Sequence, residues 1–249
     1  TNPTITLTLT GAAALTANFQ AGAETVLPSN ITANTTLTAA GSPYSVTNDL
    51  IVPSNVTLTV GPGVKFLMPP GGSFYVYGAL LINGTSNAPV QLLARSSQPW
   101  GNLSFVNATG SSVISNLTIR SATASRRDPV NLKAAVSAYN SALTLDAVDI
   151  DANLPIFVRF GSTTLRNSRI NSRFTGDGIN IKSGSGLVEN CVFTGAANPD
   201  TDAIDFDNVT NGVIRGNRIY AFLGSNSDAI DVGEGCQNLL VVSNRKDSP

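Results

Sequence analysis

The chain has 249 residues, enough for one large core or two small ones, and it sets 15 basic against 16 acidic residues for a net charge of −1. That balance, with Lys and Arg scattered, excludes a polyanionic partner such as nucleic acid. The chain contains no histidine, which excludes His-based acid–base catalysis, His–metal sites and Ser–His triads together. Two cysteines, Cys191 and Cys236, are too few for a disulfide framework and read as small buried thiols. No apolar run approaches the roughly 18 residues of a membrane span, and no signal peptide opens the chain. The eight Asn-x-Ser/Thr sequons are what Asn- and Thr-rich composition produces by chance.

Residues 1–22 read as the end of a preceding extracellular β module or as an N-terminal capping strand, and 23–249 as one further unit. Short alternating strands then crowd the chain: "NVTLTV" at 55–60, "GVKFLM" at 63–68, "SFYVYG" at 73–78, "ALLIN" at 79–83 and "APVQLLA" at 88–94. Helical spacing is nearly absent. From about residue 110 two series fall into register. "VISNLTI", "LTLDAVDI", "TLRNSRI", "LVENCVF" and "VIRGNRI" end on Ile119, Ile150, Ile170, Phe193 and Ile219, which lie 31, 20, 23 and 26 apart. "IFVRF" at 156–160, "DGINI" at 177–181, "DAIDF" at 202–206 and "DAIDV" at 228–232 form the second series. Two interleaved series with one shared period mark a solenoid with at least two strands per turn. The predicted fold is all-β, a right-handed parallel β-helix with a short N-terminal β stub. Its last strand, "LVVSNR" at 240–245, has no closing cap. That end therefore reads as truncated or covered by another chain, and end-to-end self-association is the expected assembly.

These coils resemble the right-handed parallel β-helix of the pectin-lyase-like superfamily. The stretch "NDLIVPSNVTLTVGPGVKFLMPPGGSFYVYGALLINGT" with "APVQLLA" and "WGNLSF" is similar to secreted bacterial β-helix domains found beside spore-coat-H-like kinase modules. The resemblance covers about 45–245 and implies the fold and an extracellular or cell-surface location. It carries little chemistry.

The second series repeats a pair of aspartates. Alternation turns Ile204 and Phe206 inward and Asp205, Asp207 and Asp231 outward. Stacking then predicts an outer row of Arg159, Asn180, Asp205 and Asp231, beside a row of Lys182, Asp207 and Gly233. Asp177, Asp202 and Asp228 form a third row where the strands begin. Like charges about 5 Å apart repel, so that row has three readings: caps on backbone N–H groups, a site for Ca2+ or another hard cation, or catalysis. The catalytic reading rests on the likeness of "DTDAID" to the "NTDGxD" motif of polygalacturonase-type glycoside hydrolases, in which Asp202 matches the acid. Asp205 and Asp228 would complete that alternative. The rest of the motif set is missing, since there is no Asp-Asp pair one coil on and no Gly-His-Gly. The recurring Asn116, Asn167 and Asn190 read as an amide ladder or turn-edge amides.

Tyr75, Tyr77 and Trp100 form a candidate carbohydrate-stacking strip or protomer contact, against packing beneath a neighbouring loop. "TLTLT", "TTLT" and "VTLTV" cluster before residue 60 and do not continue, which argues against an ice-binding face. The expected function is a non-catalytic structural or adhesive extracellular scaffold with no cofactor, or with Ca2+. It would bind a polysaccharide or surface protein, or assemble. The alternative is a polysaccharide lyase or glycoside hydrolase acting on acidic polysaccharide.

Overall fold

A computed structural model describes residues 23–125, 130–174 and 176–247; the stub expected at 1–22 lies outside the described residues. The chain folds as a right-handed parallel β-helix. Among the described residues every pairing between strands is parallel, and the coils stack their strands into three faces. Face 1 runs from Leu50–Val52 through Phe74–Val76 and Leu103–Val106 to Ile204–Val209 and Ile230–Val232. Face 2 runs from Thr35–Leu37 through Ala79–Asn83 and Ala142–Asp146 to Leu240–Val242. Two long strands, Ile156–Arg166 and Ile179–Glu189, pass through both, so faces 1 and 2 join in one 15-stranded sheet. Face 3 is a separate 10-stranded sheet ending at Arg218–Tyr220 and Arg245–Asp247.

The alternation in the sequence builds the core directly. Ile156, Ile179 and Ile204 stack inward on face 1, as do Leu145, Leu165 and Val188 on face 2. Ile119, Ile150, Ile170, Phe193 and Ile219 stack inward on face 3, in the register their spacing predicts. All are fully or almost fully buried, and each contributes about 1.5–3 kcal/mol of transfer free energy before the entropic cost of ordering the chain. Cys191 also lies in this core, and burial pushes its thiol up to about 12.

The corners explain the recurring asparagines. Between faces 2 and 3 the chain turns on one residue with positive φ, and Asn116, Ala147, Asn167, Asn190, Gly216 and Ser243 occupy successive copies of that position. Asparagine and glycine tolerate the left-handed region best. Asn116, Asn167 and Asn190 therefore recur for a backbone reason rather than as a stacked amide column, since Ala147 interrupts them. A true amide ladder sits one residue further on. Asn217, wholly buried, accepts the Cys191 N–H at 2.9 Å and donates to the Val188 carbonyl at 3.0 Å and to Asn244 Oδ1 at 2.9 Å. At the corner between faces 1 and 2 the long strands bend without breaking. Gly184 has φ +123° there, and a Cβ on it would lie 2.0 Å from the Gly161 carbonyl oxygen.

Candidate functional site

Face 1 carries the residues singled out by the repeated aspartates. The outward column is Phe157, Asn180, Asp205 and Asp231, while Arg159 belongs to the neighbouring column with Lys182 and Asp207. The predicted row placed Arg159 two residues out of register. Alternation cannot detect that slip, because a shift of two preserves which side chains point outward; a shift of one would have exposed the core. Ile156 and Val158 matching Ile179 and Ile181 fix the true pairing.

Outward-pointing does not mean exposed here. Asp205 is only 8% exposed, and Asn180 beside it is also buried. Asn180 Nδ2 donates to Asp205 Oδ2 and, at 2.8 Å, to Asp177 Oδ2, while Asn180 Oδ1 and Asp205 Oδ1 have no hydrogen-bond partner. Burial, then the charges of Asp207 and Asp177, raise Asp205 to about 7. Lys182 Nζ bonds Asp207 Oδ2 in an ion pair, and Asp207 faces Gly233 on the following coil.

The row Asp177, Asp202 and Asp228 is joined by caps. Asp177 Oδ1 accepts the Asp202 N–H at 3.0 Å, and Asp202 Oδ1 accepts the Asp228 N–H at 2.6 Å. Each carboxylate thus holds the amide of its counterpart one coil on. Asp202 is 9% exposed, and burial raises it to about 6 despite that stabilising bond. Among the described residues no group of three or more Cys, Asp or Glu side chains is arranged to hold a metal ion.

The aromatic strip takes the packing reading, and the stacking alternative is overturned. Trp100 is fully buried, with Nε1 donating to the Arg120 carbonyl at 2.8 Å, so it cannot meet a ligand. Tyr75 is buried and Tyr77 half-buried, their rings stacked 6.4 Å apart under the connection that carries Val130 and Leu132. That connection seals side chains on the outward parity of face 1, and alternation within the strands does not reveal its course.

Among the described residues two aromatics are exposed, Phe174 and Phe160, and strand alternation alone does not single out Phe160. It occupies the corner between faces 1 and 2, where successive coils place Asn107, Asn140, Phe160, Ser183 and Asn208, all with positive φ. Left-handed backbone costs a bulky residue about 1–2 kcal/mol. Phe160 accepts this strain while remaining 45% exposed. The Arg159 guanidinium lies over its ring at 4.8 Å, and Tyr139 meets it edge-on at 5.7 Å. Beside it opens a cavity of about 440 Å³, with Lys182, Ser183, Asp207, Asn208 and Glu234 among its walls. The signal was present in "RFGS": Phe interrupts a column otherwise written in Asn and Ser.

No protein-family model matches the chain, and no curated protein matches it. Among solved structures it is similar to a tailspike protein of E. coli bacteriophage HK620, solved as a double mutant, at 11% identity and a TM-score of 0.25. The match covers 88% of this chain and 56% of that one, so the chain spans little more than half of the tailspike's length. Among the described residues no helix is long and apolar enough to cross a membrane.

Proposed function

We propose that this chain is a non-catalytic extracellular β-helix, a rigid scaffold that binds a glycan at the corner formed by Arg159 and Phe160. The observation that carries the reading is Phe160. An exposed ring in a strained backbone conformation, beside a cavity walled by amides, hydroxyls and charges, has the composition of a sugar-stacking platform. The pectin-lyase-like character of the coils and their likeness to secreted domains near spore-coat-H-like kinase modules support the surface location.

The alternative, a lyase or hydrolase acting on acidic polysaccharide, draws on the raised Asp202 and Asp205 and on Lys182 nearby. Against it, Asp202 is engaged as a cap and Asp205 is sealed beneath its neighbours. Titrating oligogalacturonate and neutral oligosaccharides against the parent and Phe160→Ala, with polygalacturonate turnover followed with and without calcium, separates the readings. Binding weakened at least about tenfold by Phe160→Ala, without turnover, is expected. Turnover abolished by Asp202→Ala would establish the enzyme instead. Binding indifferent to Phe160 would remove the corner from consideration.

A further inference from the structure

Face 2 offers a second surface of different character. One outward column runs Val113, Thr144, Thr164, Leu187, Val213 and Leu240, in register on six successive coils. It contains no charge, Val113 is 41% and Leu240 51% exposed, and beyond Val113 the column continues, still uncharged, through Leu81, Thr59 and Thr36. A shallow cavity of about 250 Å³ opens along it, with Thr164, Leu187 and Val213 among its walls. Successive coils stand about 4.8 Å apart, so these six positions form a straight strip of about 24 Å.

The next outward column on the same face is charged, and its signs alternate. Asp146, Arg166, Glu189 and Arg215 follow one another in register. Arg166 bonds Asp146 at 3.0 Å, and Arg215 Nε bonds Glu189 at 2.7 Å. Both arginines remain largely exposed outside those pairs.

From this pattern we infer that face 2 is the docking surface for a second copy of this chain, laid face to face and antiparallel. The argument is charge order. A two-fold axis lying in the face, crossing it between the coils of Arg166 and Glu189, sets each column on its own copy in reverse. Arg166 then meets the partner's Glu189, and Asp146 meets the partner's Arg215, so all four positions on each copy meet the opposite sign. The same operation lays Thr164 on the partner's Leu187, Thr144 on the partner's Val213, and Val113 on the partner's Leu240. The surface is self-complementary in the way an isologous interface requires. A parallel pairing would instead bring the charged column against the opposite edge of the face.

Sedimentation velocity over a concentration series, with small-angle scattering, tests this on the full chain. A dimer whose scattering profile fits side-by-side rods, and whose affinity falls as salt rises, is expected. Arg166→Glu should weaken it at least about tenfold, because symmetry breaks two contacts at once. Arg166→Glu with Glu189→Arg should restore it to within about threefold, although within one chain that double exchange places like charges on adjacent coils. A purely intrachain role for these residues would leave the double variant no better than Arg166→Glu, since both place two pairs of like charges on adjacent coils. Melting curves for each variant keep folding separate from association. A monomer at every concentration, end-to-end rods, or a dimer that the double exchange does not rescue would overturn the inference.

Discussion

Asp202 accepts the backbone N–H of Asp228, its counterpart one coil on, at 2.6 Å, and is itself held through its own amide by Asp177 at 3.0 Å. Asp202→Ala leaves the Asp228 amide without its partner and should cost about 1–2 kcal/mol in chemical denaturation. Asp202→Asn keeps an oxygen at the cap and removes a charge crowded by Asp177, Asp231 and Asp228, so its stability should match or exceed the parent's. Equal losses in both variants would show that the charge, rather than the cap, matters.

The same carboxylates set a pH dependence with an unusual sign. Asp205 and Asp202 are raised in the folded chain, to about 7 and about 6. The native state therefore holds protons that the unfolded chain, with ordinary carboxylates, has already released. Their contribution is fully present below about pH 4 and is lost as pH rises through about 6 to 7. Asp205→Asn should flatten that part of the curve. Denaturation midpoints at half-unit steps from about pH 4 to 8 decide it, and a slope unchanged by the substitution refutes the assignment.

Phe160 should show a division between stability and binding. Asparagine stands at the equivalent corner in Asn107, Asn140 and Asn208. Phe160→Asn should therefore keep or raise stability, relieving about 1 kcal/mol of backbone strain against the lost Tyr139 contact. Glycan binding should fall with it. A variant destabilised by more than about 1 kcal/mol would mean that the ring is there for packing.

Two asparagines that look alike in sequence should behave differently. Asn217→Ala removes a wholly buried amide and orphans the Cys191 N–H, at a cost of about 2–3 kcal/mol. Asn167→Ala touches an exposed corner, where its bond to Asp146 at 2.8 Å and its left-handed backbone are worth about 1 kcal/mol. Reversal of that order in urea melts would remove the distinction drawn between ladder and corner.

The fold was legible because a β-helix writes its core as a period. Ile119, Ile150, Ile170, Phe193 and Ile219 are both the repeat in the sequence and one buried column in space. The inward and outward assignment of Ile204 and Asp205 was legible for the same reason. Register was less so, because Arg159 could slide by two without violating alternation. Burial of outward residues was legible for Tyr75 only as packing beneath some neighbouring loop, and for Asp205 not at all. Tyr75 and Asp205 obey the strand's parity, yet are covered by material that the parity does not describe. Phe160 escaped notice because its meaning lies in its corner position, visible only when the asparagines around it are aligned by backbone angle.

The three corners of this solenoid are not equivalent, and that shapes what such a chain can become. From Ser115 onward the turn between faces 2 and 3 spans only one or two residues. The connection from face 3 back to face 1 ranges from the short 153–155 to the long 121–135. The edge between faces 2 and 3 is stitched tight from Ser115 on. The edge between faces 1 and 2 varies from an unbroken strand to the loop 233–239, and the third is a free margin. New loops can be spliced into that margin one coil at a time without disturbing the pitch of the rod, so recognition can diversify there while the shaft stays the same.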